Sequence, residues 1–278
     1  MRLPIAILAA AAALTAAGAA NAAASVEVKD AVARLMVIPE NRADVQVRVV
    51  QGNPKLPVEV RTLMGRTIVD GKLGRRIRGC RGGGEHVVVG VKGVGDVAWN
   101  DMPRIEIRVP RDVNIDTGGA IWGTVGRSAS LKLGNAGCGD WTVANVAGAM
   151  TIIQAGSGDT RTGSAGSARF RVAGSGDMAA AEIKGPVEVD VAGSGDVSVG
   201  SVGGLLKINV AGSGDVKVAG GHATAMTVTV MGSGNVNFNG VADSLKARVA
   251  GSGDVHAREV KGEVSKSIMG SGGVTIGG

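Results

Sequence analysis

The sequence predicts an all-β protein, a single-stranded parallel β-helix (β-solenoid) with turns of about 19 residues. Three observations support this prediction. A Gly-Ser-Gly-Asp motif recurs along the C-terminal half, alternating apolar residues flank each copy, and the composition combines 47 glycines with only 2% aromatic residues. Repeats of this length are typical of solenoids, and glycine without a three-residue period excludes collagen.

The charge distribution argues against a nucleic-acid partner. The formal net charge is +6, and most of the excess lies near the front, where residues 25–130 carry 17 Lys+Arg against 12 Asp+Glu. Surfaces that bind nucleic acid combine basic charge with aromatic side chains on which bases stack. This chain has no Tyr and two Phe, so we expect no nucleic acid to bind.

Residues 1–23 are predicted to be a signal peptide. Arg2 precedes the apolar run Ile5–Ala17, and Ala20–Ala22 supplies a cleavage site of small residues. No later segment is apolar enough to span a bilayer, so no transmembrane segment is expected after cleavage. The sequence therefore predicts an exported protein of the periplasm, the outer surface or the extracellular medium; an uncleaved N-terminal anchor is the alternative.

Residues 24–112 are predicted to form an N-terminal β cap or a set of irregular first turns. Strands are predicted within 44–50, 58–61, 87–89 and 105–109. Apolar and polar residues alternate in the first, second and fourth of these segments, the period of half-buried strands, and 87–89 is a short run of valines. Gly71–Gly84, rich in arginine and glycine, is predicted to be an exposed loop. A cap is expected because the first edge of a solenoid presents unpaired backbone groups that invite aggregation.

Residues 113–278 carry the repeat, with the acid of the motif recurring every 18 to 20 residues. We call the bend predicted at each motif a corner. The positions of the acid form the corner column: Asp140, Asp159, Asp177, Asp196, Asp215, Asn235 and Asp254, followed by Gly273. Nine turns result when Ile121 marks the first, which places Trp122 nineteen residues ahead of Trp141 at an equivalent position.

The apolar residues before each corner are predicted to point inward in columns, because alternation sends every second side chain to the same face. One such column is predicted to contain Val189, Ile208, Val228 and Ala247. The last turn departs from the pattern, with Lys266 at an inward position and Gly273 in place of the acid, as expected of a terminal cap.

The corner column has two interpretations. Glycine permits the tight bend, and Ser and Asp side chains accept hydrogen bonds from nearby amides, so the favoured interpretation is a structural turn column. The alternative is a ladder of carboxylates that binds cations, which would relieve the repulsion between acids about 4.8 Å apart. The favoured interpretation predicts no metal and no cofactor.

The cysteines and tryptophans also leave alternatives. Cys80 and Cys138 form a candidate disulfide, since paired cysteines in an exported chain are usually bridged; two free buried thiols are the alternative. Trp122 and Trp141 are expected to stack inside the first turns, with a sugar-binding aromatic platform as the competing interpretation.

Runs such as Val191–Val199 (VAGSGDVSV) and Val210–Val218 (VAGSGDVKV) resemble the head GIN domain family of auto-transporter adhesins. The resemblance covers about residues 104–278. It implies a bacterial exported, right-handed parallel β-helix, and it supplies no catalytic residues. The repeat continues to the last residue of the sequence, so no C-terminal membrane barrel is expected.

The combined prediction is a non-catalytic protein of the cell envelope or surface, adhesive or acting as a scaffold, with an envelope or surface partner that is a protein or a polysaccharide. The alternative function is a carbohydrate-binding or carbohydrate-active β-helix protein. No Ser/His/Asp arrangement or histidine cluster emerges from the sequence to favour an enzyme.

Overall fold

The computed structural model describes residues 24–277; the predicted signal peptide, residues 1–23, lies outside the described residues. Regular structure is β apart from short 3-10 turns at Gly74–Arg76, Gly84–His86 and Trp99–Asp101. Within the described part of the chain, no helix has the length and apolar character needed to cross a membrane.

The strands fall into two groups along the chain. The first nine are β1 Ser25–Glu40, β2 Gln46–Gln51, β3 Glu59–Leu63, β4 Arg66–Asp70, β5 Ile77–Arg81, β6 Val88–Val91, β7 Gly95–Ala98, β8 Arg104–Pro110 and β9 Asp112–Val125. The remainder are β10 Ser130–Gly137, β11 Trp141–Val143, β12 Ala149–Gly156, β13 Thr160–Thr162, β14 Ser167–Gly174, β15 Met178–Ile183, β16 Val187–Gly193, β17 Val197–Val202, β18 Leu206–Gly212, β19 Val216–Val218, β20 His222–Ala223, β21 Met226–Gly232, β22 Val236–Ala242, β23 Leu245–Gly251, β24 Val255–Val260, β25 Val264–Gly270 and β26 Val274–Ile276.

From β9 onward the chain winds as a parallel β-solenoid, which confirms the predicted fold class. Each turn contributes a strand before the corner and a strand after it. β16 pairs in parallel with β14 and β18, while β17 pairs in parallel with β15 and β19. About nine such turns stack at a spacing of about 19 residues.

The predicted inward column is confirmed. Val189 pairs with Ile208, Ile208 with Val228, and Val228 with Ala247, and all four side chains are buried. They belong to one hydrophobic core that runs the length of the stack. A single turn cannot bury its apolar face alone, so the stacked neighbours supply the stability of each turn.

The N-terminal region supplies strands to the same stack. β1, for which the sequence predicts no strand, pairs in parallel with β9 on one side and with β4 and β8 on the other. β2 then pairs antiparallel with β8, and β3 with β4. Residues 24–112 therefore combine strands of the solenoid type with antiparallel strands that continue the sheet beyond them.

A small antiparallel sheet of β5, β6 and β7 packs on the outside of these first turns. A second hydrophobic core lies beneath it and includes Leu73, Val89, Met102 and Trp122. The prediction of an exposed loop over Gly71–Gly84 is therefore wrong in part, because this segment contains β5 and the buried Leu73. Tertiary packing against β9 gives the glycine- and arginine-rich segment its order.

The last turn ends as the sequence predicts. Lys266 pairs with Ala247 at the inward column, and its ammonium donates a hydrogen bond to the Val274 carbonyl at 2.9 Å. The apolar side chains Val264 and Ile268 of the same turn are exposed. Lys266 thus reaches across the end of the core, and an inward charge at a sheet edge opposes edge-to-edge pairing.

Candidate functional site

Two glycines shape each corner of the solenoid. Gly193 has φ of 143°, a conformation that side chains disfavour. Gly195 lies so close to the carbonyl of Gly176 in the preceding turn that a Cβ there would collide with backbone. The amides of Ser194 and Gly195 both donate to the Gly174 carbonyl, at 2.9 and 3.1 Å. The Gly-Ser-Gly sequence therefore stacks one bend directly on the previous one.

The corner column links successive turns by side-chain hydrogen bonds. In each case the Oδ1 atom of one corner residue accepts the backbone N–H of the corner residue in the next turn. The seven bonds, 2.7–3.0 Å long, join Asp140 to Asp159, Asp159 to Asp177, Asp177 to Asp196, Asp196 to Asp215, Asp215 to Asn235, Asn235 to Asp254, and Asp254 to Gly273. Each side chain thus satisfies an amide at the bend.

The backbone of the same residues reinforces the stack in the opposite direction. The Asp196 carbonyl accepts the amide of Met178, and the Asp215 carbonyl accepts the amide of Val197, at 2.8 and 2.9 Å. Asn235 takes part like an acid: its Oδ1 accepts the Asp254 amide, and its Nδ2 donates to Asp215 at 3.1 Å. These contacts are those of the structural interpretation, in which Asn and Asp are interchangeable acceptors.

The metal interpretation finds no further ligands in the structure. Over residues 24–277, no group of three or more His, Cys, Asp or Glu side chains is arranged to hold a metal ion. In successive acids of the column, one oxygen is already engaged by the backbone amide of the next turn.

A shallow open groove of about 570 Å³ follows the corner column. We call it the corner groove. One wall is formed by the acids and the other by the outward side chains two positions further on. The residues are Asp159, Asp177, Asp196, Asp215 and Asn235 on the first wall, and Arg161, Ala179, Ser198, Lys217 and Asn237 on the second. The first wall repeats a carboxylate or amide once per turn, whereas the second wall changes from one turn to the next and is apolar at Ala179.

The predicted equivalence of Trp122 and Trp141 is wrong by one residue. Trp141 pairs with Gly123, not with Trp122, so this step of the repeat has 18 residues. A shift of one residue sends side chains to opposite faces of a strand. Trp141 accordingly lies in the solenoid core, where Gly123 leaves room for its ring. Trp122 lies instead in the second hydrophobic core, beneath the sheet of β5, β6 and β7.

Trp122 is therefore the residue that occupies the corner position in the first repeat turn, rather than Ile121. Its ring meets that of Trp99 edge to face, with centroids 6.0 Å apart and planes at 82°, a favourable aromatic geometry. Trp122 is only 5% exposed. A buried ring of this kind packs in the core and presents no open platform to a sugar.

The structure joins Cys80 of β5 to Cys138 at the corner of the next turn by a disulfide, with Cα atoms 6.2 Å apart. Cys138 takes the place of the serine found at later corners, such as Ser157. The bond therefore ties the outer sheet to the start of the corner column.

A parallel β-solenoid whose corners are linked by a ladder of side chains is the class of protein that this fold and site define. The chain belongs to the family described as "Putative auto-transporter adhesin, head GIN domain", which matches residues 98–222 and 203–278.

Two solved structures are similar to this chain at low sequence identity. A protein of Bacteroides fragilis described as a "putative adhesin" is 14% identical, with 91% of this chain and 92% of that chain covered and a TM-score of 0.41. A "putative cell adhesion protein" of Clostridium sporogenes is 10% identical, with 91% of each chain covered and a TM-score of 0.18. No curated protein matches the sequence.

Proposed function

We propose that this chain is a non-catalytic exported protein of the cell envelope or surface, and that it adheres to an extended partner through the corner groove. Membership of an adhesin family over most of the chain supports a surface adhesin-like role. The observation that carries the proposal is the repetition of the corner residues along one wall of the groove, because a surface repeated turn by turn suits an extended partner better than a single small substrate.

The lining has the chemistry of a polar binding surface. Opposite the acids, the side chains of Arg161, Ser198, Lys217 and Asn237 offer hydrogen-bond donors to a protein strand or to sugar hydroxyls. The acids have one oxygen engaged by an amide, so the second oxygen is available as an acceptor. Neither wall contains a histidine or cysteine, and the proposal assigns the groove to binding rather than to catalysis.

The test is adhesion of the processed protein, residues 24–278, immobilised on a surface and exposed in flow to cells and to purified envelope polysaccharide and protein fractions. Lys217→Glu reverses a charge inside the groove, and we expect it to reduce retention several-fold. Lys246 is an exposed residue of β23, outside the corner groove. Lys246→Glu is therefore the matched control and should behave like the unmodified protein.

Three outcomes would contradict the proposal. Retention that is equally lost in both variants would indicate nonspecific charge attraction, and retention unaffected by Lys217→Glu would place adhesion elsewhere. Turnover of a polysaccharide that disappears on changing a single carboxylate would instead establish the carbohydrate-active alternative. Fractionation with N-terminal sequencing tests export separately, and the expected mature N-terminus lies near residue 24.

A further inference from the structure

A second pocket, of about 440 Å³, lies where the corner column reaches the outer sheet. Arg34 of β1 pairs with Trp122 on one side and with Arg104 on the other, so these three residues continue the column ahead of Asp140. Trp99 and Glu85 line the pocket from the outer sheet region. We call this the arginine pocket; its volume falls within the range of small-molecule sites, about 300–1,000 Å³.

The Arg34 side chain lacks an acceptor among the described residues. Its guanidinium lies 4.9 Å from the centroid of the Trp99 ring, and its Nε atom is buried with no hydrogen-bond partner in that part of the chain. Burial lowers the pKa of Arg34, the nearby charge of Arg104 lowers it further, and Glu85 acts in the opposite direction. A buried polar group without a partner is costly, and it often marks the place of a missing ion or ligand.

The other charges around the pocket leave an excess of unpaired arginines. Over residues 24–277, Arg34, Arg104 and Arg161 line the pocket without forming an ion pair, whereas Glu106 is bonded to Arg108 at 2.8 Å. Asp140 accepts the amide of Asp159 through one oxygen.

Two carboxylates, those of Glu85 and Asp140, therefore remain as acceptors for hydroxyl groups. The remaining wall includes apolar side chains, Met36 and Val50, which are 49% and 51% exposed. The pocket thus combines unpaired guanidinium groups, hydroxyl acceptors and an apolar surface.

We propose that the arginine pocket binds one carboxylated sugar unit, such as a uronic acid. The guanidinium groups of Arg34 and Arg104 bind the sugar carboxylate, since the arginine fork matches the two oxygens of a carboxylate. Glu85 and Asp140 accept the sugar hydroxyls, and Met36 and Val50 contact the C–H face of the ring. A carboxylated sugar uses all three surfaces of the pocket, whereas an inorganic oxyanion uses only the first.

The test is calorimetric titration of the processed protein, residues 24–278, with D-glucuronate, with D-glucose as the uncharged control and with inorganic phosphate. We expect saturable binding of glucuronate at Kd near the millimolar range and no binding of glucose at the same concentrations, about 10 mM. Arg34→Gln should weaken glucuronate binding about tenfold or more, because it removes a charge-assisted hydrogen bond.

Arg104→Gln is the second variant, and it keeps the test decisive if Arg34→Gln lowers the melting temperature. Arg104 is exposed and unpaired among the described residues, so its replacement should weaken binding without affecting folding. Arg248→Gln, an exposed arginine remote from the pocket, should bind glucuronate like the unmodified protein.

The inference fails if glucuronate does not bind saturably, if glucose binds as well, or if Arg104→Gln binds glucuronate unchanged. Binding of inorganic phosphate without binding of glucuronate would also overturn it, because the pocket would then recognise an oxyanion but not a carboxylated sugar. The corner groove is tested independently: Lys217→Glu should leave glucuronate binding intact even where it abolishes adhesion.

Discussion

The two ends of the solenoid build the same corner by different means. From Asp140 to Gly273, one side-chain oxygen per turn accepts one amide of the next turn, and the glycines repeat with it. Ahead of Asp140, the positions in register are Trp122, Arg34 and Arg104. There a disulfide, an aromatic pair and a second core replace the repeated hydrogen bonds.

The unpaired buried groups lie toward the N-terminal end of the molecule. Among the described residues, the buried side-chain nitrogen and oxygen atoms without a partner belong to Arg34, Asn114, Ser128, Trp141, Gln154 and Arg169. Three of these residues precede Asp140 and three lie in the first turns of the ladder. The later turns of the described chain leave no such atom unpaired.

The largest expected effect concerns the regular core. Val228→Asp buries a carboxylate without a partner in the confirmed inward column, so we expect loss of more than about 3 kcal/mol in the free energy of unfolding. Thr227→Asp places the same group on the exposed face and should change stability little. Urea denaturation followed by circular dichroism measures both; the reverse ranking would contradict the register.

The disulfide should stabilise the irregular end. Its loop spans 58 residues, and loss of such a bond typically costs about 2–4 kcal/mol. Cys80→Ser with Cys138→Ser should increase hydrogen exchange in β5–β7 while leaving β21–β25 unchanged. Mass analysis after alkylation without reduction should find no free thiol in protein from its native compartment. Two alkylated cysteines there would remove the proposed link.

The corner glycines should be more sensitive than the corner acids. In Gly195→Ala the new Cβ meets the backbone of the preceding turn, so we expect a loss of about 1–3 kcal/mol from strain. Ser194→Ala in the same corner is the control, since the serine side chain is exposed. Equal melting temperatures for the two variants would show that the close stacking of corners is unimportant.

The hairpin formed by β3 and β4 should lose stability in acid. Burial tends to raise the pKa of Asp70, but the Lys72 amide and the charges of Lys72, Lys29 and Arg61 together lower it. A carboxyl group whose pKa is lowered on folding stabilises the folded state at pH values above its pKa in the unfolded chain, about 3.9. That stabilisation is lost as the pH falls through the pKa of the group in the folded state. Hydrogen-exchange protection in β3 and β4, taken relative to the intrinsic rate at each pH, should therefore fall below about pH 4, and Asp70→Asn should remove that dependence.

The smallest expected effect is at the corner acids. Asp196→Asn keeps an acceptor for the Asp215 amide, so we expect a cost of about 1 kcal/mol or less. Calcium should leave the melting temperature nearly unchanged. A calcium-dependent rise of about ten degrees, erased by Asp196→Asn with Asp215→Asn, would establish the cation ladder instead, because a ligand of the folded state stabilises by mass action.

Local patterns were sufficient for much of the repeat. The alternation around Val189 and Val228 predicted which side chains lie inside, because the strand period of two is a local property. The same reasoning missed β1, whose position between β8 and β9 depends on pairing between distant segments. It also misplaced Trp122, because an 18-residue step differs from a 19-residue step by one residue and reverses the face.

The sequence by itself determined the solenoid, its inward columns and its corner residues, since spacing, alternation and glycine chemistry act within one turn. Only the tertiary structure decided that Arg34, Arg104 and Trp122 are neighbours. Each is unremarkable in its own segment, and their proximity follows from the insertion of β1 between β8 and β9. Non-local pairing sets which outward side chains share a surface, and the arginine pocket arises there.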